Sequence, residues 1–135
     1  MDEILRKLEL LHPKIIDLKL DRVKKLLRKL GNPEKSIPPV IHVAGTNGKG
    51  STIAMIKAGL QRSGFRTHTY TSPHLVNFNE RIEIGNKRIS ECALKEVLKE
   101  CEKVNNSQPI TFFEITTCAA FLAFSRASAD YTLLE

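Results

Sequence analysis

The sequence predicts an α/β fold: a P-loop-type, mostly parallel sheet with flanking helices, present in incomplete form. Three observations predict it. A short apolar run, Val40-Ile41-His42-Val43-Ala44, leads into a glycine loop and then a helical pattern. The order along the chain is a helical prelude followed by β-α-β-hairpin-α-α-β. The last element, Tyr131-Thr132-Leu133-Leu134, is an apolar strand closing on Glu135. A strand in that position, with no helix after it and few neighbours to pair with, is expected of a fragment.

The elements follow in order. Residues 2–11 read as a short helix ended by His12-Pro13. From about Leu20 a second helix sets Leu20, Val23, Leu27 and Leu30 at helical spacing, with Gly31 as its stop and Asn32-Pro33 as a loop. After Pro38-Pro39 comes the buried strand 40–44, then the glycine loop. A helix from Ser51 to Ser63 puts Ile53, Ile56 and Leu60 on one face and ends at Gly64. Residues 66–71, RTHTYT, alternate as a strand. ERIEIGNKRI, 80–89, reads as a β-hairpin with Ile82, Ile84 and Ile89 on one side and a two-residue Gly85-Asn86 turn. Ser90 caps a helix to about Val104, with Leu94, Val97, Leu98, Cys101 and Val104 inward. Beyond the polar loop 105–109, Thr111-Phe112-Phe113-Glu114 has capping-box spacing and opens a helix containing Cys118, Phe121, Leu122 and Phe124.

Length and composition bound the class. A chain of 135 residues makes one domain at most, long enough to bury a core, and 41% hydrophobic residues is ordinary for a soluble globular protein. The longest apolar run, Cys118 to Phe124, falls far short of the roughly 18–20 residues of a membrane span. The start, MDEILRKLELL, carries acids and lacks a signal-peptide core. Cys92, Cys101 and Cys118 form no C-x-x-C and read as reduced, mostly buried thiols, as in the cytoplasm. The net charge of +6 is uneven, since residues 1–36 hold ten Lys/Arg against six Asp/Glu. A basic patch attracts nucleic acid, anionic membrane or polyanionic small molecules. Here acids are interleaved and no aromatic residue lies among the lysines to stack on bases, so the reading is a solvated helix face. Neither nucleic acid nor membrane is expected as a partner.

The chemistry concentrates in Gly45-Thr46-Asn47-Gly48-Lys49-Gly50-Ser51-Thr52. The Walker form G-x-x-x-x-G-K-[ST] is not met, because Val43 stands where its first glycine belongs and Gly50 follows Lys49. The physics still favours an anion. Three glycines let backbone N–H groups close on phosphate oxygens, and the following helix adds the positive end of its dipole. Lys49 supplies a point charge, and the Ser51 and Thr52 hydroxyls are candidate ligands for Mg²⁺ or phosphate. In P-loop proteins a carboxylate at the end of a neighbouring strand holds Mg²⁺, a role open to Glu135.

These residues, with TSPHLVNFNERIEI at 71–84, the TFFEITT helix start at 111–117 and the closing LLE, resemble the folylpolyglutamate synthase/dihydrofolate synthase family. That family belongs to the Mur-ligase group of ATP-dependent amide-forming ligases. IDLKLDRVKKLLRKLGNP, 16–33, is similar to its opening helix, and the resemblance runs from about residue 4 to 135. Mur-type ligases use a G-T-N-G-K phosphate loop, which explains the departure from the Walker form. The resemblance implies that Thr46, Asn47, Gly48, Lys49, Gly50 and Ser51 hold the ATP phosphates, with Lys49 and Glu135 as the catalytic pair. It implies that Ser72 and Glu135 bind Mg²⁺. Ile16, Asp17 and Leu18, with Thr111, Phe112, Phe113 and Glu114, would line the pterin site; the family usually has glycine at the place of Lys19. Other readings stay open: Glu114 as a cap only, Asp17 as a solvated acid, His74 as an orienting residue, and Phe112 and Phe113 as core. His12, His42 and His68 read as structural.

The implied reaction is ATP-dependent addition of L-glutamate to dihydropteroate or a reduced folate through an acyl phosphate. The resemblance implies small-molecule partners, and the full-length protein is expected to be a monomer in the cytoplasm. In the family the strand ending at the Glu135 position runs into a glycine-rich segment. A histidine for a second Mg²⁺, a carbamylated lysine and a C-terminal ligase domain follow it. The 135 residues contain none of these. Residues 1–36 are therefore expected to be a helical prelude, and 37–135 part of the ATP-binding domain, with little or no ligase activity alone. Two alternatives share the loop: a P-loop kinase or NTPase, and a non-catalytic ATP-binding module.

Overall fold

The computed structural model describes residues 1–11 and 19–135. The elements are α1 (Asp2–Glu9), α2 (Asp21–Lys29), a 3-10 turn (Pro33–Lys35), β1 (Val40–His42), α3 (Lys49–Arg62), β2 (Thr67–Tyr70), a second 3-10 turn (Phe78–Arg81), β3 (Ile82–Ile84), β4 (Lys87–Arg88), α4 (Glu91–Asn105), α5 (Phe112–Ser125) and β5 (Tyr131–Leu134). They fall into two compact units, residues 1–36 with 91–123 and residues 37–90 with 124–135.

The second unit holds the sheet, in the order β1-β5-β2-β3-β4. β5 pairs in parallel with β1 and with β2, and β3 and β4 add an antiparallel ribbon beyond β2. β5 lies between β1 and β2, with Leu133 fully buried on it, whereas β1, expected as a buried strand over 40–44, spans Val40–His42 at the edge of the sheet with Val40 and His42 exposed. Of the buried polar residues of β2, His68 and Thr67 are held by hydrogen bonds, while the Thr69 hydroxyl has none among the described residues. His68 Nε2 lies 2.9 Å from the Ala127 carbonyl, Gly85 N donates to His68 Nδ1 at 2.9 Å, and the ring stacks on Phe124 at 5.0 Å. Thr67 N donates to Asn86 Oδ1 at 2.8 Å. The alternation in 66–71 correctly gave a strand, yet every residue of β2 is buried rather than every second one. The Gly85-Asn86 turn stands as expected, with φ of 54° and 74° at the two positions. Glu80 and Arg81 do not extend the hairpin; they lie in the 3-10 turn before it. Ile82 and Ile89 are buried, while Ile84 is half-buried.

The first unit is helical, with Ile4, Leu8, Leu26, Leu27, Leu94, Leu98, Ile115 and Cys118 among its buried residues. Fully burying a leucine such as Leu94 or Leu98 contributes about 1.5–3 kcal/mol. α2 ends as expected at Gly31: Asn32 N donates to Leu27 O at 2.8 Å and Gly31 N to Arg28 O at 3.1 Å, satisfying carbonyls that the helix leaves open. The inward face of α2 differs from expectation, since Leu26 and Leu27 are buried and Leu20 is exposed. In α4, Val104 is half-buried and Asn105 is buried in its stead, its Nδ2 donating to Gln108 O at 2.8 Å. Among the described residues no helix is long and apolar enough to cross a membrane.

Candidate functional site

Parallel pairing aligns the strands, so β1, β5 and β2 end on one edge of the sheet. The glycine loop leaves β1 there. Val43 N donates to Leu134 O at 2.7 Å, which ties its first residue to the end of β5. Glu135 follows, and its own N–H donates to Tyr70 O at the end of β2, at 3.0 Å. Ser72 N then donates to Glu135 Oε2 at 3.3 Å. Three chain segments far apart in sequence thus meet at one edge, where open α/β sheets bind their ligands.

Within the loop, Gly45 and Gly48 adopt φ of 147° and 74°, a region that side-chain-bearing residues rarely enter. A Cβ on Gly45, Gly48 or Gly50 would meet nothing within 4 Å, so the space around this backbone is open. α3 begins at Lys49, two residues before the expected Ser51, with Gly48 as its N-cap. Its first turn holds a lysine and no acid. The positive end of the helix dipole therefore has no compensating charge of its own, an arrangement that an anion relieves. Lys49 Nζ donates to Gly45 O at 2.8 Å, folding the cation back over the loop. Thr52 Oγ1 donates to Gly48 O at 2.8 Å, which commits that hydroxyl to the helix start. Thr46, Asn47, Gly48, Gly50 and Ser51 are exposed.

Among the described residues no group of three or more His, Cys, Asp or Glu could hold a metal ion. Mg²⁺ does not need one, because it keeps several waters and uses one or two protein oxygens plus substrate phosphates. Ser72 and Glu135, side by side and half-buried, fit that oxygen donor set.

Sequence reasoning missed how the Ser72 loop is held. Glu80 accepts three backbone N–H groups, from Leu75 (2.9 Å), Val76 (3.0 Å) and Asn77 (2.7 Å). Those bonds hold its carboxyl down to about 2. Arg81 Nε donates to His74 Nδ1 at 2.9 Å and its guanidinium lies 4.9 Å from the Phe78 ring centre. Arg81 therefore orients His74. The signal was present in Asn77-Phe78-Asn79-Glu80, which has the spacing of a helix-start capping box and forms one.

In the first unit, the predicted box at α5 also forms. Glu114 N donates to Thr111 Oγ1 at 3.2 Å and Thr111 N to Glu114 Oε1 at 3.0 Å. Arg22 Nε adds a 2.9 Å ion pair to the same Oε1, and both side chains are largely buried. Phe113 is 53% exposed, which weighs against its reading as core, and Phe112 is half-buried. Ile16, Asp17 and Leu18 lie outside the described residues, as does His12. His42 is exposed and His68 is buried. Cys101 and Cys118 are buried and Cys92 is exposed, and none of the three is in a disulfide; burial foremost, then the neighbouring Cys101, pushes the Cys118 thiol far up.

No family model matches the chain. The dihydrofolate synthase/folylpolyglutamate synthase of Bacillus subtilis is 41% identical over 124 residues, which cover 86% of this chain and 28% of that protein. The structure of Escherichia coli FolC in complex with DHPP and ADP superposes on 99% of this chain with a TM-score of 0.92 and 37% identity. The chain belongs to the folylpolyglutamate synthase/dihydrofolate synthase family. Within that family, the bifunctional Yersinia pestis protein, solved with AMPPNP and a Mn ion, matches 99% of this chain at 36% identity and a TM-score of 0.89. The chain spans about 30% of the length of the family members it matches. The mostly parallel α/β fold is the one these family structures share with it.

Proposed function

We propose that this chain supplies the nucleotide- and metal-binding edge of an ATP-dependent ligase that joins L-glutamate to dihydropteroate or a reduced folate. The observation that carries the reading is the meeting of the glycine loop, Ser72 and Glu135 at the shared ends of β1, β2 and β5. Residues 37–135 form the ATP-binding portion and 1–36 its helical prelude. The partners are small molecules rather than nucleic acid or membrane, and the full-length protein is a cytoplasmic monomer.

Each residue has a distinct task. The N–H groups from Thr46 to Ser51 and the dipole of α3 bind phosphate oxygens, and Lys49 exchanges the neutral Gly45 carbonyl for an anionic partner. That exchange is favourable because hydrogen bonds to charged acceptors are roughly twice as strong as neutral ones. Ser72 and Glu135 would hold Mg²⁺, which neutralises charge on the transferring phosphoryl group when bound. Phosphoryl transfer asks little of protein bases and much of positioning, and this edge is built to position. Thr111, Phe112, Phe113 and Glu114, with Ile16, Asp17 and Leu18, line the pterin site in this reading. The capping box and Arg22 fix the backbone of the 111–114 segment.

Calorimetry of Mg²⁺-ATP binding tests it, on this chain and on Lys49→Ala. Binding by the chain and its loss in the variant is the expected result. Equal binding by both, or none by a folded chain, overturns the assignment of the loop.

A further inference from the structure

Residues 72–77 leave the end of β2 and return at the 3-10 turn, and one carboxylate closes them. Glu80 Oε1 accepts the N–H groups of Val76 and Asn77, and Oε2 accepts that of Leu75. Three consecutive amides converging on one anion reproduce the way loops ring a bound phosphate or sulfate, except that here the anion is tethered three residues beyond Asn77. Apolar burial does not hold this stretch, since Leu75 is 91% and Val76 80% exposed. The rest of the loop is pinned from the opposite side. Thr71 N donates to Arg81 O at 2.9 Å, and His74 accepts from Arg81 while its ring packs edge-on against Phe78. Ser72 sits between these anchors, in contact with Glu135.

We propose that Glu80 is a positioning residue for the metal site: by fixing residues 75–77 it holds Ser72 beside Glu135 in the arrangement that receives the cation. The inference rests on reading Ser72 and Glu135 as the metal ligands. It requires a glutamate. Glutamine would turn an NH₂ group toward backbone N–H donors, and aspartate, one methylene shorter, would not span all three amides.

The test uses the full chain as wild type, Glu80→Gln, Glu80→Asp and Glu135→Gln, with Mn²⁺ and AMPPNP as the probe. Two NMR readouts are followed: amide exchange at Leu75, Val76 and Asn77, and Mn²⁺ broadening of the Ser72 and Glu135 signals. In Glu80→Gln, exchange at the three amides accelerates and Mn²⁺ affinity falls about 10- to 100-fold, as for loss of a group that orients a metal ligand. The β5 amides stay protected. Glu80→Asp falls between, and carries the test should Glu80→Gln fail to fold. Glu135→Gln loses Mn²⁺ but keeps the three amides protected. Unchanged Mn²⁺ affinity in the folded Glu80 variants overturns the proposal, as does unchanged exchange. A wild-type chain with protected 75–77 amides and no broadening at Ser72 or Glu135 instead overturns the metal reading beneath it.

Discussion

Lys49 and Glu80 show how differently two charged side chains can serve one edge. Lys49 donates to a backbone carbonyl that has no charge to offer, so it is held but not satisfied. Losing one hydrogen bond between a charged and a phosphate group costs about 1.5–3 kcal/mol, so Lys49→Ala is expected to weaken Mg²⁺-ATP binding by roughly 10- to 100-fold, measured by calorimetry. Glu80 is satisfied completely, by three amides, and its carboxyl is held at about 2. A group whose folded value is depressed stabilises the fold above its ordinary value of 4.5, and that contribution drains away as pH falls toward about 2. Amide protection at 75–77 is therefore expected to decline over that interval in the wild type and to be already weak in Glu80→Gln, followed by hydrogen exchange. The lysine was legible in the sequence because its glycine neighbours announce it. The glutamate was not, because Glu80-Arg81-Ile82-Glu83-Ile84 alternates like a strand, and alternation outweighed a capping box one turn long.

At the scale of elements, start and stop signals read better than faces. Gly31 ends α2, Thr111 opens α5 and Gly85-Asn86 makes a two-residue turn, because each is fixed by bonds within a few residues. The face of α2 depends on what packs against it. At 100° per residue the stripe of Val23, Leu26, Leu27 and Leu30 centres between Leu26 and Leu27, with Leu20 at its margin, so periodicity found the stripe and not its middle. The helix start at Lys49 was read late because a left-handed Gly48 ends the loop, a conformation that glycine permits and does not announce. For α5 the cap makes a quantitative expectation. Thr111→Ala removes the acceptor for Glu114 N and should cost about 1 kcal/mol, seen as a lower urea midpoint with unchanged slope. Removing Arg22 takes the ion pair from a nearly buried carboxylate. Arg22→Met should cost more than Thr111→Ala, about 3–5 kcal/mol, the penalty for leaving a buried charge without its partner.

For the molecule as a whole, stability carries the signature of His68. Burial, the largest cause, lowers its pKa from 6.5, and both ring nitrogens are committed in the neutral form. The unfolded chain binds the proton more readily, so stability is full above pH 6.5 and declines as pH falls below it. His68→Asn should flatten that slope, checked by thermal unfolding across the range. β1 gives a second expectation. Among the described strands it pairs only with β5, which leaves its outer edge open, and Val40 is exposed on it. Val40→Lys should reduce concentration-dependent light scattering with the circular dichroism spectrum unchanged, since charge blunts an open edge. The strand order has one more consequence. β5 lies between β1 and β2, yet a ribosome delivers β1 and β2 first, and some 60 residues separate β2 from the strand that joins it to β1. During synthesis the glycine loop and the Ser72 loop emerge with nothing to align them, and the sheet's two halves wait on a slot between them. Entry of Tyr131–Leu134 into that slot completes both parallel pairings and sets Glu135 in place in a single step, so the nascent chain acquires its sheet and its ligand edge together.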